Sequence, residues 1–201
     1  MIFRRLAGFL AKFWGRFRVL KQMKPKYSID ELLRTRCLGR LGKHSTFEDA
    51  ISKLGPPDYK QSNFQYTPRS YQWNYHLTLQ LKFSVVKKRL ASIILWLDHD
   101  WHRMFFPYDE REEILRKSPY KNLFVDFEKY ANADRSLALQ YAKELGFECT
   151  FDPEYGEDTF EKADVFYPIN DKPFTRNNPR FHLEFDLEKD RLHNITIKYK
   201  Y

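Results

Sequence analysis

The chain has 201 residues, 17% aromatic and 31% charged; that supplies a real core and excludes a disordered or low-complexity protein. The formal charge of +8 is local. Arg4, Arg5, Lys12, Arg16, Arg18, Lys21, Lys24 and Lys26 stand in residues 1–27 with no acid among them, and the rest of the chain balances at 27 basic and 27 acidic side chains, so the high pI does not mark the body as a nucleic-acid binder and no direct nucleic-acid contact is expected.

In residues 1–27, Ile2, Phe3, Leu6, Phe9, Leu10, Phe13, Phe17 and Leu20 recur at spacings of three and four, one face of a helix, until Pro25 ends the pattern. The apolar runs are too short to span a bilayer, which needs about 20 residues, and too broken for a secretory signal. The amphipathic face has three possible occupants: an anionic membrane surface, the protein's own body, or a partner. In the membrane reading Phe3, Leu6, Phe9, Leu10, Phe13 and Phe17 are the lipid contacts. Gly8 and Gly15 each lower helix propensity by about 1 kcal/mol, so the helix is expected to form fully only when that face is covered.

Residues 28–100 read as a first αβ unit. Ser28 and Glu31 have capping-box spacing and open a helix over roughly 28–38; Ser45 and Glu48 do the same for a second. Phe47, Ala50, Ile51 and Leu54 make the second helix's buried stripe. Gly55 fits a left-handed cap, and Pro56-Pro57 stops the helix. Sheet follows: Trp73, Tyr75, Leu77, Leu79, Leu81 and Phe83 alternate with Gln72, Asn74, His76, Thr78, Gln80 and Lys82. One bent strand or two would fit residues 71–85. "VKKR" predicts a hairpin turn and "LASIILWL" the return strand.

Residues 101–131 read as a helical connector, and residues 132–201 as a second unit. Asp134 can cap "RSLALQYAKELGF", with Leu137, Tyr141 and Leu145 inward and Gly146 at the end. "KKRLASIIL" (87–95) aligns without a gap with "KDRLHNITI" (189–197). The expected fold class is α+β: two related units of helices packed on antiparallel sheet, the second with an acidic insertion, behind the basic N-terminal helix.

"AISKLGPPD", "YQWNYHL" and "RLASIIL" together resemble the small αβ repeats of the outer-membrane assembly lipoprotein family and of the β-lactamase-inhibitor-protein-like fold. They are also similar to immunity proteins encoded beside bacterial polymorphic and contact-dependent toxins. No lipobox cysteine follows an apolar signal here, which departs from the lipoprotein pattern. The resemblance implies a sheet surface that binds another protein.

Chemistry is sparse. Asp98, His99, Asp100 and His102 make the densest metal-capable group, but a polar turn after a buried strand explains them as well, and no second cluster completes a site. Glu184, Asp186 and Glu188 in "HLEFDLEK" resemble fragments of a metal-dependent nuclease motif and read more simply as a solvated strand face. Cys149 lacks an evident activating base, and Cys37 lies far from it, so two thiols in a reducing cytoplasm are expected rather than a disulfide framework. No cofactor, bound metal or catalytic residue is expected. From Glu148 to Asp164 seven carboxylates face one lysine, Lys162. Phe151, Asp152, Glu154, Tyr155, Glu157, Asp158, Phe160 and Glu161 are the candidate partner contacts, fitted to a basic toxin or effector such as a nuclease. The expected protein is a non-catalytic cytoplasmic immunity protein; the alternative is a membrane-surface adaptor anchored through residues 1–24.

Overall fold

Among the described residues the first helix is α1 (Ile29–Thr35), and it starts where the sequence places it: Ser28 Oγ accepts the Glu31 N–H at 3.3 Å. It stops earlier than expected, at a left-handed Arg36. Asp126 completes the start from a distant part of the chain. Its carboxylate accepts the N–H groups of Ile29 (2.8 Å) and Asp30 (3.1 Å) and the Ser28 hydroxyl (2.7 Å), meeting donors that an α-helix leaves open.

In α2 (Phe47–Leu54) the capping box lies one residue beyond the expected Ser45 and Glu48. Thr46 Oγ1 accepts the Asp49 N–H at 3.3 Å, and Asp49 accepts the Thr46 N–H at 2.8 Å. Ser45 is engaged elsewhere: it is buried, its hydroxyl accepts the Gly42 N–H, and its carbonyl takes the Leu90 N–H. Of the predicted stripe, Ala50 and Leu54 are buried and Phe47 stacks on Phe83 with ring centroids 4.4 Å apart, but Ile51 is 42% exposed. Gly55 has the expected positive φ of 83°, with an extended ψ of −176° in place of the left-handed one.

The computed structural model describes residues 26–55, 57, 59–62, 70–75, 79–97, 123–152, 163–170, 179–187 and 189–200. After α2 come β1 (Tyr59–Ser62), β2 (Ser70–Tyr75), β3 (Leu79–Ser84) and β4 (Leu90–Trp96). Residues 71–85 therefore hold two strands, with Tyr75 paired to Leu79. Next are α3 (Phe127–Ala131) and α4 (Arg135–Glu144), then β5 (Cys149–Phe151), β6 (Ala163–Pro168), β7 (His182–Asp186) and β8 (Leu192–Lys198). The end of the expected connector is part of the core: Leu123, Phe124, Phe127 and Tyr130 are buried, and Tyr27 bridges to Phe124. Asp134 caps α4 as expected, accepting the Leu137 N–H at 2.8 Å. Ala138 and Ala142 form that helix's buried line, with Leu137, Tyr141 and Leu145 half-buried beside it.

The eight strands form one antiparallel sheet in the order β1-β2-β3-β4-β8-β7-β6-β5. The class is α+β. One apolar cluster joins residues of the four described helices to one face of the sheet: Leu79, Leu81, Ile93, Leu95, Leu183, Ile195 and Ile197 belong to it. Among the described residues, no helix is long and apolar enough to cross a membrane.

Candidate functional site

The strand registers place a second set of residues on the opposite face. Lys82, Ser92 and Lys198 are aligned across β3, β4 and β8. Gln80, Ile94, Thr196 and His182 make the next row, and Trp96, Asn194, Glu184 and Val165 the one after. These positions alternate with the core residues, as the two-residue strand period requires.

This face is polar yet withdrawn from water at its centre. Asn194 is 1% exposed, Thr196 and His182 3% each, and Ser92 6%. Buried polar groups need partners, and Asn194, Thr196 and Glu184 bond to one another. Asn194 Nδ2 donates to Glu184 Oε2 at 2.7 Å, and the Thr196 hydroxyl lies 3.0 Å from Asn194 Oδ1 and 3.4 Å from Glu184 Oε1. Burial pushes the Glu184 carboxyl above the usual carboxylate range, against the opposing pull of Asn194, Lys198, Thr196 and Lys82. Desolvation lowers the Lys198 ammonium, and Glu184 opposes it. Burial, helped by Lys198 and opposed by Asp152, brings His182 down to about 3, so His182 is neutral at physiological pH.

Chemically this is a carboxylate with an affinity for a proton, fixed by two neutral side chains and flanked by cations. Perturbed titrations of this kind mark functional positions more often than chance, though structural networks share them. Among the described residues, no group of three His, Cys, Asp or Glu side chains is placed to hold a metal ion. Asp186, paired with Glu184 in the nuclease-like reading, accepts the Lys189 N–H at 2.9 Å and closes the β7–β8 turn. Cys149 is a poor nucleophile, since burial raises its thiol to about 12.

The predicted partner surface is reached at one end only. Phe151 lies on edge strand β5, 45% exposed, its ring 5.6 Å from Phe166. Asp152 is 6% exposed and its N–H donates to the Val165 carbonyl. It faces inward near His182 and is not a presented contact, because the β5–β6 pairing turns it onto the polar sheet face. Glu154, Tyr155, Glu157, Asp158, Phe160 and Glu161 lie outside the described residues, as do the lipid-contact candidates Phe3, Leu6, Phe9, Leu10, Phe13 and Phe17 and the metal-capable Asp98, His99, Asp100 and His102. Sequence alternation found Glu184 on the polar face. It could not show that Asn194 and Thr196 close around it, since they come from the neighbouring strand.

On the helix side a second polar network ties the two halves of the chain. Tyr130 donates to Asp30 Oδ1 at 2.5 Å, and Lys129 Nζ lies 3.1 Å from the same oxygen. Burial and then Asp30 raise the Tyr130 phenol, which fixes it as a donor. No family model matches the chain, and no curated protein or solved structure matches it.

Proposed function

We propose that this protein is a non-catalytic binding module made of two related αβ units, and that it acts as an immunity-type inhibitor of a toxic partner protein. The observation that carries the reading is the correspondence between the two sheet halves. Adding 102 to a residue number takes the β3–β4 hairpin onto the β7–β8 hairpin (84 to 186). Ser84 N–H to Arg89 O becomes Asp186 N–H to Arg191 O; Lys88 N–H to Ser84 O becomes Asp190 N–H to Asp186 O. The left-handed residues Lys88 (φ 51°) and Asp190 (φ 49°) coincide. So do the bulges at Lys82/Phe83 and Glu184/Phe185. Leu90 donates to the carbonyl before the α2 cap, and Leu192 to the one before the α4 cap.

The join has the same symmetry. Under that shift the pair Ser92–Lys198 becomes Asn194–Trp96, and Ile94–Thr196 maps onto itself. A two-fold relation through that central pair is what two copies of one unit give when they pair isologously. It supports the tandem αβ architecture that the sequence resembles, whose implied use is to bind another protein through its sheet.

The test is capture followed by function. Affinity-tagged protein is recovered from its native cells at low salt, and the captured partner is then expressed alone and with this chain. The expected outcome is a partner that arrests growth alone and is harmless when co-expressed. A stoichiometric partner whose toxicity is unchanged, or no partner, overturns the reading.

A further inference from the structure

The two matched hairpins differ in one respect that their backbones do not require. The first reads Ser84-Val85-Val86-Lys87-Lys88-Arg89 and the second Asp186-Leu187-Glu188-Lys189-Asp190-Arg191. Both turns need a residue with positive φ at the same place, which Asp fills more readily than Lys. Lys88 is therefore present at φ 51° despite the turn.

Its neighbours share its sign. Lys87, Lys88 and Arg89 are exposed. Arg89 Nη1 lies 3.1 Å from His44 Nδ1, and the Leu90 N–H bonds to Ser45 O, which docks loop 39–44 with its exposed Arg40 and Lys43 beside the hairpin. Lys87, Lys88 and Arg89 thus stand in the turn, with Arg40 and Lys43 on the adjoining loop. Two carboxylates, Glu48 and Asp49, stand in the first turn of α2; a backbone hydrogen bond, with help from the Lys88 charge, holds the exposed Glu48 below the usual carboxylate range, and Asp49 is engaged in the capping box. At the tip itself stands Val86, 82% exposed.

We propose that this hairpin tip, Val86 with Lys87, Lys88, Arg89, Arg40 and Lys43, is a contact surface for an anionic lipid bilayer. A bare phosphate backbone would use the cations but would gain nothing from an apolar side chain held at the apex, and none of the six residues is a ring on which a base stacks. A bilayer interface uses both: headgroup charge attracts the cations, and the acyl boundary accepts Val86. The contact is independent of the partner-binding reading. It requires that the chain meet the membrane with the β3–β4 end, beside whatever the eight-cation arm of residues 1–27 contributes.

The test is co-sedimentation of the full chain with vesicles of mixed phosphatidylglycerol and phosphatidylcholine, against phosphatidylcholine alone. The decisive variant carries Val86→Glu and Lys88→Asp, the residue types that the sequence has at the matched positions 188 and 190, in a turn whose closing backbone bonds and positive-φ residue coincide in the two hairpins. It changes three charge units, and at roughly fivefold in affinity per cation the expected loss is on the order of 100-fold. Lys87→Gln with Lys88→Gln, both on exposed side chains, is the second variant, with an expected loss of about 25-fold by the same scale. Variants that bind as well as the parent, equal binding of the parent to neutral vesicles, or no vesicle binding with retention of double-stranded DNA or RNA would each overturn the proposal.

Discussion

Glu184 and His182 stand two residues apart on β7 and pull stability in opposite directions with pH. The folded-state pKa of Glu184 lies above its usual value, so the folded protein holds that proton more tightly than the unfolded chain. Its contribution is full below the ordinary carboxylate pKa and is lost as pH rises through the raised one. Glu184→Gln is therefore expected to raise the denaturation midpoint at pH 7, with little change at pH 4. His182 is the reverse case, lowered from 6.5 to about 3. Its contribution is full above pH 6.5 and drains away as pH falls toward 3, by up to about 1.4 kcal/mol per pH unit. Denaturant titrations from pH 7 to pH 4 should show a shallower acid decline in His182→Gln than in the parent. An identical decline would mean that His182 is charged in the folded state. On the helix side, Asp126→Ala removes three hydrogen bonds at the start of α1 and is expected to cost about 2 kcal/mol, with Asp126→Asn milder.

Two helices of the fold end on glycines for a backbone reason alone. Gly55 and Gly146 have φ of 83° and 90°, and a Cβ added to either would meet nothing within 4 Å. Gly55→Ala and Gly146→Ala are thus expected to cost about 1–3 kcal/mol each through backbone strain, without a packing term. A loss below about 0.3 kcal/mol in thermal unfolding would show that the helix ends adjust. These stops were legible in the sequence because Gly after an apolar-periodic run has a local cause. The cap of α2 was misplaced by one residue for a nonlocal one: Ser45 was drawn into bonds with Gly42 and Leu90, and Leu90 is distant in sequence.

The sheet is continuous from β1 at one edge to β5 at the other, and one apolar cluster runs through both halves. Tyr27 and Asp126 add links between the start of the first half and the start of the second. The expected consequence is a single cooperative unfolding transition, coincident by far-ultraviolet circular dichroism and by tryptophan fluorescence, in spite of the two-unit architecture proposed for it. Two separated transitions would mean that each half is stable alone. Ile195→Ala, at a buried site on central strand β8, should lower the whole transition by about 2–5 kcal/mol.

Local physics made the α+β class, the helix starts at Ser28 and Asp134, the glycine stops and the two matched hairpins readable from the sequence alone. Periodicity, capping and turn chemistry act within a few residues. Tertiary structure decided that residues 71–85 are two strands and that Leu123 to Tyr130 join the core. It also decided that β4 pairs with β8 through Ile94 and Thr196, which sets Lys82 and Ser92 in line with Lys198, and it fixed the β7–β8 register that sets Asn194 and Thr196 against Glu184. Strand alternation says which side of a strand is polar. Only the register between strands says which polar side chains become neighbours, and only their burial turns a solvated-looking carboxylate into one that favours its proton.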